Sequence, residues 1–596
     1  MVKRHRWRVV ALAAALCSTA AVAQQTGLLL DGVTVVSTTD GSLQRNKAVL
    51  IEGGRIIRVA PAGSIKAGPN IRRVMARAKY VVPGFLDMHA HPLNAPTPQG
   101  ALSLMLAYGI TGFRQMSGTP ELLAARRAGR LPMGPDAPAL LATPGIVLAG
   151  PLATNPAAAV AQVDVQKAQG ADFIKVVDLR PAAFNAALAR ATADGLTFGG
   201  HLPPDIDVRD AARRGMRHIE HLGPNDSLLL ACSSDEGAIR AAAAAAPPRP
   251  ATNVDFQAPP AAVKRLVVNP MLLLPPPAFA RARRVLATYD DAKCRALAYD
   301  LKVAGVWQVP TLVRLRDMEL ADDPALAAQA ELRYVPADDR ALWREVAGTF
   351  TTRLSLVDRA TLKDLWARQL KLTKLFDQAG VPMLAGTDLG GQWIVPGVSL
   401  HQEFDLLAEA GLSPLRVLQM TTIDGARFLH REATMGSVAA GRDADLVLLD
   451  ADPMASVANL HRIAAVVRAG RYYDHAALDA LKARSETAAA RPSNRAVRLR
   501  VRWGTTNERT TDATTVRPPA AGTGRPRGRA AGDRDPWRHL YVGLFRPARR
   551  LLAGARGGER DTGDRDRSAR LCRQPSVVAG ADDDRRSGGV SGRAFA

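Results

Sequence analysis

Between residues 83 and 430, short apolar runs alternate with Ala-rich and Leu-rich stretches of helical character. Residues 173–177 and 381–385 are two such runs, and each follows a helical stretch that ends in glycine. Strands that alternate with helices in this way are typical of parallel βα units. Polar residues stand at the ends of several of these strands, which favours an α/β protein with a (β/α)8 TIM barrel over an open sheet.

The segments on either side of this region carry a different pattern. Residues 24–82 consist of short β-prone runs broken by turn residues, and the same style returns in residues 431–482. One small β-sandwich domain, formed from the N-terminal and C-terminal segments, is therefore predicted beside the barrel of residues 83–430. Within the barrel, residues 222–308 add length and contain alanine and proline runs, so we expect an irregular insertion that roofs the site.

The first residues have the pattern of a secretory signal peptide. Four basic residues precede an apolar stretch from Val9 to Ala15, and small residues lead to an expected cleavage after Ala23. The apolar stretch is shorter than the roughly 20 residues that a membrane span needs, and Leu16 is a poor residue to precede a lipidated Cys17. Residues 1–23 are therefore predicted to be removed, leaving a periplasmic or secreted protein with no membrane contact.

The net charge of +23 comes mostly from the end of the chain. Residues 491–596 hold 24 arginines, 11 acidic residues, no lysine and no apolar period, and we expect this tail to be disordered. A gene segment read in a shifted frame and a functional arginine-rich arm both explain it. The rest of the chain has only a mild positive bias, so we expect no nucleic-acid partner. A small-molecule or dipeptide substrate is the expected partner, and a homo-oligomer stays open.

The chain has four cysteines. Cys17 falls in the predicted signal peptide and Cys572 in the tail. Cys232 and Cys294 remain, and the sequence fits both a disulfide formed in an oxidising compartment and two free buried thiols.

Histidines stand at the ends of several predicted strands. His89 and His91 end an apolar run in an H-x-H pattern, and residues two apart on a strand share a face. Two neutral imidazoles side by side are a natural start for a divalent metal site, although the pattern also occurs on ordinary polar strand faces. His201 and His221 each end a later strand, whereas His218 would face away from His221 and is assigned a structural role.

Lys175 and Asp388 are the other candidates for metal chemistry. Lys175 lies inside an apolar strand, where burial lowers the pKa of the amine. A neutral amine adds CO2, and the resulting carbamate has two oxygens with which to bridge two cations; the other interpretation is a lysine paired with a carboxylate or reaching the rim. Asp388 ends the eighth predicted strand, where a carboxylate either binds a metal and accepts a proton or caps the next turn.

Five segments in order resemble the amidohydrolase superfamily, in particular its imidazolonepropionase-like and prolidase-like proteins with a carboxylated lysine. The segments are residues 83–91, 170–175, 219–221, 385–388 and 436–447. The resemblance covers residues 27–482 and implies a binuclear site. In that arrangement, His89, His91 and Asp388 bind the first metal, His201 and His221 bind the second, and carboxylated Lys175 binds both. The long insertion, the tail and Gln115, where relatives often have Asp, depart from the family pattern.

The expected reaction is hydrolysis of an amide. Two divalent ions, expected to be zinc, share a hydroxide, and Asp388 acts as general base and acid toward the departing nitrogen. The prolidase-like branch implies dipeptides or N-acyl amino acids as substrates. The alternatives are a hydrolase of cyclic amides, esters or lactones with the same metals, and a barrel that binds a ligand without turnover. For Arg114, His401 and Glu403, substrate contact at the rim and packing are equally good explanations.

Overall fold

The structure is a computed structural model that describes residues 27–95, 97–245 and 268–491 of the 596-residue chain. The predicted signal peptide, residues 492–596 of the predicted tail, and residues 246–267 of the predicted insertion lie outside the described residues. The strands of the described part are β1 (Gly27–Val36), β2 (Leu43–Glu52), β3 (Arg55–Pro61), β4 (Ile71–Met75), β5 (Tyr80–Pro83), β6 (Phe85–Ala90), β7 (Ile110–Gln115), β8 (Ala139–Ala142), β9 (Leu148–Ala149), β10 (Phe173–Asp178), β11 (Thr197–Gly200), β12 (Met216–Glu220), β13 (Trp307–Val309), β14 (Leu446–Leu449), β15 (Ile463–Arg468) and β16 (Arg471–Asp474).

Helices follow most of the strands in the middle of the chain. They are α1 (Gln99–Ala107), α2 (Pro120–Arg127), α3 (Pro156–Ala168), α4 (Pro181–Ala193), α5 (Val208–Arg214), α6 (Ser227–Ala231), α7 (Glu236–Ala245), α8 (Pro276–Ala287), α9 (Asp291–Val303), α10 (Leu312–Glu319), α11 (Pro324–Ala327), α12 (Ala337–Arg353), α13 (Leu356–Ala379), α14 (Val398–Glu409), α15 (Pro414–Met420), α16 (Ile423–Phe428) and α17 (His475–Ala490). Among these described helices, none combines the length and the apolar character that a membrane span requires.

Two parallel sheets form the middle of the fold. The order is β6-β7-β8 in one sheet and β9-β10-β11-β12-β13 in the other, and every pairing within them is parallel. Lys175 lies opposite Gly199 on β11, and Gly199 lies opposite His218 on β12. Because parallel strands present their carboxyl ends at one edge, residues that follow these strands come together. The α/β class with parallel strands is confirmed.

The two ends of the enzyme-like region meet in a third sheet. Its order is β16-β15-β14-β5-β1-β2-β3, with β4 beside β1, so both predicted β segments contribute strands to it. β14 joins the two through antiparallel pairing with β5, in which Val447 lies opposite Val82. Leu30, Val49 and Val467 lie in one buried cluster of this sheet. The limits of the domain and a division into two packed sheets stay predictions.

The predicted insertion is helical rather than irregular in its described part, and the expectation of irregular structure was wrong there. The alanines at 241–245 lie in α7, because alanine has the highest helix propensity of any residue. Pro276 and Pro277 occupy the first positions of α8, where a missing amide hydrogen costs no helical hydrogen bond. Residues from α7 and α8 line the same cavity as the predicted metal ligands.

Cys232, which follows α6, and Cys294, in α9, form a disulfide 62 residues apart in sequence. Both residues are fully buried. The disulfide therefore ties the helices that line the cavity to α9, and it selects between the two cysteine states that the sequence left open.

Replacing both cysteines by alanine should lower the free energy of unfolding by about 2–4 kcal/mol, because the crosslink restricts the unfolded chain over a long loop. Denaturant unfolding of the oxidised wild type and of the double variant measures this difference. Reduced wild type is the matched control and should unfold like the variant. Equal midpoints for oxidised and reduced wild type would contradict the crosslink.

Candidate metal centre

Six side chains singled out in the sequence line one cavity at the carboxyl edge of the parallel strands. They are His89, His91, Lys175, His201, His221 and Asp388. Each lies in or directly after a strand or strand-like segment. The segment that carries Asp388 is fixed to β6, because the Asp388 amide donates to the carbonyl oxygen of His89 at 2.7 Å. The fold thus collects residues that are about three hundred positions apart in the sequence.

Two glycines give the strands room to approach one another at this edge. Gly200 has a φ of +134°, and a Cβ atom there would lie 2.2 Å from the carbonyl oxygen of Val176. A Cβ atom on Gly199 would lie 2.4 Å from the carbonyl oxygen of His218. A larger residue at position 200 would push β11 away from β10, and one at position 199 would push it away from β12. His201 would move with either shift.

The backbone is strained at two of the six residues. His221 has a φ of +58° and Asp388 a φ of +55°, in the left-handed region that L-residues other than glycine and asparagine rarely adopt. Strain of this kind costs roughly 1–3 kcal/mol per residue and persists where the surrounding structure imposes it, most often at functional sites. It turns both side chains into the cavity directly after their strands end.

The ring of His221 is fixed in one tautomer. Its Nδ1 lies 2.6 Å from the Thr311 hydroxyl, which itself donates to the carbonyl oxygen of Pro310 at 2.7 Å. Because that hydroxyl proton is already used, the hydroxyl accepts from Nδ1–H of His221. In the neutral ring, Nε2 is then the nitrogen with a free lone pair, as a metal ligand requires.

Glu220 fixes His89 in the same way from beneath the site. His89 Nδ1 donates to Glu220 Oε2 at 2.6 Å, while the other carboxylate oxygen accepts from His218 Nδ1 at 2.7 Å and from Arg114 Nη2 at 2.8 Å. All four side chains are buried. Burial alone raises the pKa of Glu220, but the charge of Arg114 and the hydrogen bonds from His218 and His89 outweigh burial and hold the pKa well below its usual range.

The Nε2 atoms of three histidines converge on the carboxylate of Asp388. His89 Nε2 and His91 Nε2 each lie 3.1 Å from Oδ1, and His221 Nε2 lies 3.9 Å from Oδ2. His91 is held by its other nitrogen, 2.8 Å from the Ser117 hydroxyl. His89 Nε2 is buried and has no hydrogen-bond partner in the described part of the chain. A cation among these atoms would satisfy that lone pair and the carboxylate together.

Burial favours the neutral forms of the remaining ligand candidates. It lowers the pKa of His91 and lowers those of His201 and His221 further, so these rings are neutral near pH 7. It also lowers the pKa of Lys175 to about 8, because the attraction of Glu220 and Asp388 does not compensate for lost solvation. The lysine therefore has an accessible neutral form.

The donor set fits a divalent cation. Ligand atoms of His89, His221 and Asp388 lie within 4.8 Å of one another. The ring of His201 lies on the other side of His221, at 5.0 Å between centroids. Neutral imidazoles, one carboxylate and a lysine that can form a carbamate are ligands that zinc accepts.

For Arg114, His401 and Glu403, the sequence left substrate contact and packing open, and their contacts favour packing. Arg114 packs beneath the site against Glu220 rather than at the rim. His401 binds the carbonyl oxygen of Tyr108 and Glu403 accepts from the amide of Val313, so packing explains both.

Glu220, Thr311 and Arg314 were missed in the sequence. Glu220 directly precedes a predicted ligand in the I-E-H motif, which was a signal for it. The other two follow β13, whose short apolar run gave no such signal. Arg314 donates from Nε to Asp388 Oδ2 at 3.1 Å.

Comparison with known proteins bears on this site. Residues 360–472, which include Asp388, match the amidohydrolase family. An adenine deaminase from Rubrobacter xylanophilus is 38% identical over 64 residues, which is 11% of this chain and 10% of the deaminase. The chain therefore matches about a tenth of that curated relative's length.

Solved structures share the fold of this chain. A bottromycin amidohydrolase matches with a TM-score of 0.57 and 22% identity, over 78% of this chain and 91% of that chain. A prolidase solved with N-methylphosphonate-L-proline matches with a TM-score of 0.51 and 19% identity, over 75% of this chain and 100% of that chain. At these identities the likeness concerns the fold.

Glu220→Gln should weaken zinc binding roughly 10-fold to 100-fold, because loss of the hydrogen-bond partner of a metal-binding histidine commonly costs that much affinity. Competition against a chromogenic chelator measures the change. Glu403→Gln is the matched control: burial raises the pKa of Glu403 to about 8, so a neutral amide resembles its protonated form, and it does not line the cavity. Wild-type affinity in Glu220→Gln would show that Glu220 does not orient His89.

Proposed function

We propose that the chain is an exported, metal-dependent hydrolase that cleaves the amide bond of dipeptides or N-acyl amino acids. The convergence of three imidazole Nε2 atoms on Asp388, with their Nδ1 atoms anchored elsewhere, carries the proposal. The match of residues 360–472 to the amidohydrolase family supports metal-dependent amide hydrolysis in general. The prolidase among the structural relatives supports substrates in which the nitrogen of an amino acid forms the amide bond that is cleaved.

We further infer that the two parallel sheets close into one (β/α)8 barrel. At one seam, Met88 donates to the carbonyl oxygen of Ala385 at 3.0 Å and Leu384 donates to that of Gln308 at 2.9 Å, so the segment before Asp388 lies between β6 and β13. At the other seam, β8 and β9 follow one another in the chain while pairing with β7 and β10 respectively. With β8 and β9 counted as one position, these contacts support a closed ring of eight strand positions.

The proposed ligands divide between two cations. His89, His91 and Asp388 would hold the first, His201 and His221 would hold the second, and Lys175 would contribute to both as a carbamate. The cations supply Lewis acidity toward a carbonyl oxygen and lower the pKa of water. Carbamate formation also removes the positive charge of a buried lysine for which the described residues provide no ion pair.

Asp388 moves the proton in this proposal. Its carboxylate faces the cavity, and burial, which alone raises its pKa, is outweighed by His89 and His221, so the carboxylate is ionised. An ionised carboxylate at this position accepts the proton of the attacking water and returns it to the nitrogen that departs. The left-handed backbone at Asp388 keeps the carboxylate pointed at the reacting atoms.

The disulfide supports the exported location. Structural disulfides persist in oxidising compartments and are rare in a reducing cytosol. The bond between Cys232 and Cys294 is consistent with the signal-like residues 1–23, and together they favour a periplasmic or secreted protein.

The zinc-loaded protein, prepared in bicarbonate, should release free amino acids from a panel of dipeptides and N-acyl amino acids. Asp388→Asn should lower kcat by at least about 1000-fold, because the amide group cannot carry the proton. Amino acid release is followed by chromatography, and circular dichroism and metal content are measured on the same samples.

Asp405→Asn is the control, since Asp405 is an exposed carboxylate that pairs with His461. It should turn over at the wild-type rate. If the panel yields no amino acid while cyclic amides, esters or lactones are opened, the substrate class is wrong. Asp388→Asn with wild-type turnover would overturn the assigned role of Asp388, and a protein that binds these ligands without turning any over would be a binding protein.

A further inference from the structure

Arg314 is a buried arginine at the catalytic edge for which the proposed reaction has so far assigned no task. It lies in the first turn of α10, lines the cavity, and its side chain is 6% exposed. Its guanidinium is held at two points: Nε donates to Asp388 Oδ2 at 3.1 Å, and Nη1 donates to the carbonyl oxygen of Val268 at 3.1 Å.

The third nitrogen of this guanidinium is free to bind something else. Among the described residues, Nη2 of Arg314 makes no hydrogen bond. An arginine cannot be deprotonated in a protein, and a buried guanidinium requires acceptors. Asp388 is its only ion-pair partner in the described part of the chain, and that carboxylate is shared with three imidazoles.

Two other arginines that line the cavity are already paired. Arg281 makes two hydrogen bonds to Asp226, at 2.8 and 2.6 Å, and Arg284 donates to Asp235 at 2.8 Å. These contacts fix the helices of the insertion. Arg314 is different because its partner is the residue that carries the proton in the proposed reaction.

The covalent structure of an amino acid explains why an arginine next to Asp388 would suit the proposed substrates. In a dipeptide or an N-acyl amino acid, only one carbon separates the amide nitrogen from the carboxylate of the departing residue. A group that returns a proton to that nitrogen and a group that binds that carboxylate must therefore be neighbours. Asp388 and Arg314 are neighbours, and an arginine is well matched to a carboxylate in charge and shape.

We propose that Arg314 forms an anion subsite that binds the free carboxylate of the departing amino acid. The inference rests on the proposed function and narrows it, because substrates must carry a carboxylate on the carbon next to the scissile nitrogen. When Asp388 is engaged by cations, the substrate carboxylate becomes the counter-charge of Arg314. The subsite thus selects carboxylates over amides and esters at this end of the substrate.

Gly391 offers a way to displace the guanidinium without removing its charge. A Cβ atom on Gly391 would lie 2.1 Å from Nη1 of Arg314 and 2.5 Å from its Cζ. The φ of Gly391 is outside the left-handed region, so alanine is compatible with the backbone there. Gly391→Ala should therefore move the end of the arginine side chain and leave the fold intact.

The experiment compares two ligands that differ only at the carboxyl end. One is a reduced-amide dipeptide with a free carboxylate, which cannot be hydrolysed, and the other is its carboxamide. Calorimetry measures their affinities for the zinc-loaded wild type, Arg314→Met, Arg314→Lys, Gly391→Ala and the control Arg180→Met. Arg180 lines the cavity at the N-terminus of α4, away from Asp388. The corresponding hydrolysable pair gives kcat/KM.

Wild type should prefer the carboxylate by roughly 10-fold to 100-fold, the range that a charged hydrogen bond contributes. Arg314→Met and Gly391→Ala should abolish the preference by weakening only the carboxylate ligand, Arg314→Lys should keep part of it, and Arg180→Met should retain it. The proposal is overturned if wild type shows no preference, if Arg314→Met weakens both ligands equally, or if Arg180→Met removes the preference. A clear preference in binding without any hydrolysis would instead refute the proposed function and leave the anion subsite standing.

Discussion

The structure depends on one constraint, which is that a carboxylate and several neutral imidazoles share a small buried volume. Asp388 lies 3.1 Å from the Nε2 atoms of His89 and His91, and none of these groups can turn away. His89 is fixed by Glu220 and His221 by Thr311, so the lone pairs point at the carboxylate whether or not anything lies between. Such an arrangement is costly in a bare protein and favourable around cations, which is why we interpret it as a metal centre.

Much of the surrounding architecture serves this constraint. Gly200 lets β11 approach β10, and Gly199 lets β11 approach β12. Left-handed backbone at His221 and Asp388 turns both side chains inward. Arg114 neutralises Glu220 beneath the site, and Arg314 contacts Asp388 from the cavity side. The site therefore has one arginine on either side of its carboxylates. Arg114 is paired with Glu220, and Arg314 has one nitrogen left to bind substrate. Selectivity for an anionic substrate and the orientation of the ligands thus follow from the same set of contacts.

Features that depend on neighbouring residues in the sequence could be predicted, whereas features that depend on contacts across the fold could not. Parallel strands with ligands at their ends are visible in the sequence, because strand periodicity and the H-x-H pattern of His89 and His91 are local features. The helical character of residues 236–245 was also local, but proline runs beside it suggested irregular structure. Glu220, Thr311 and Arg314 are ordinary residues until their neighbours are known, because their roles depend on which atom they face across the fold. The pairing of Cys232 with Cys294 was undecided for the same reason.

Anomalous diffraction at the zinc edge, from crystals of the protein grown with zinc and bicarbonate, tests the central claim most directly. The account predicts two adjacent peaks in the cavity, one among His89, His91 and Asp388 and the other beside His201 and His221. Density for a carbamate on Lys175 should join them. A single peak that leaves Lys175 unmodified, or zinc bound only elsewhere on the protein, would contradict the account.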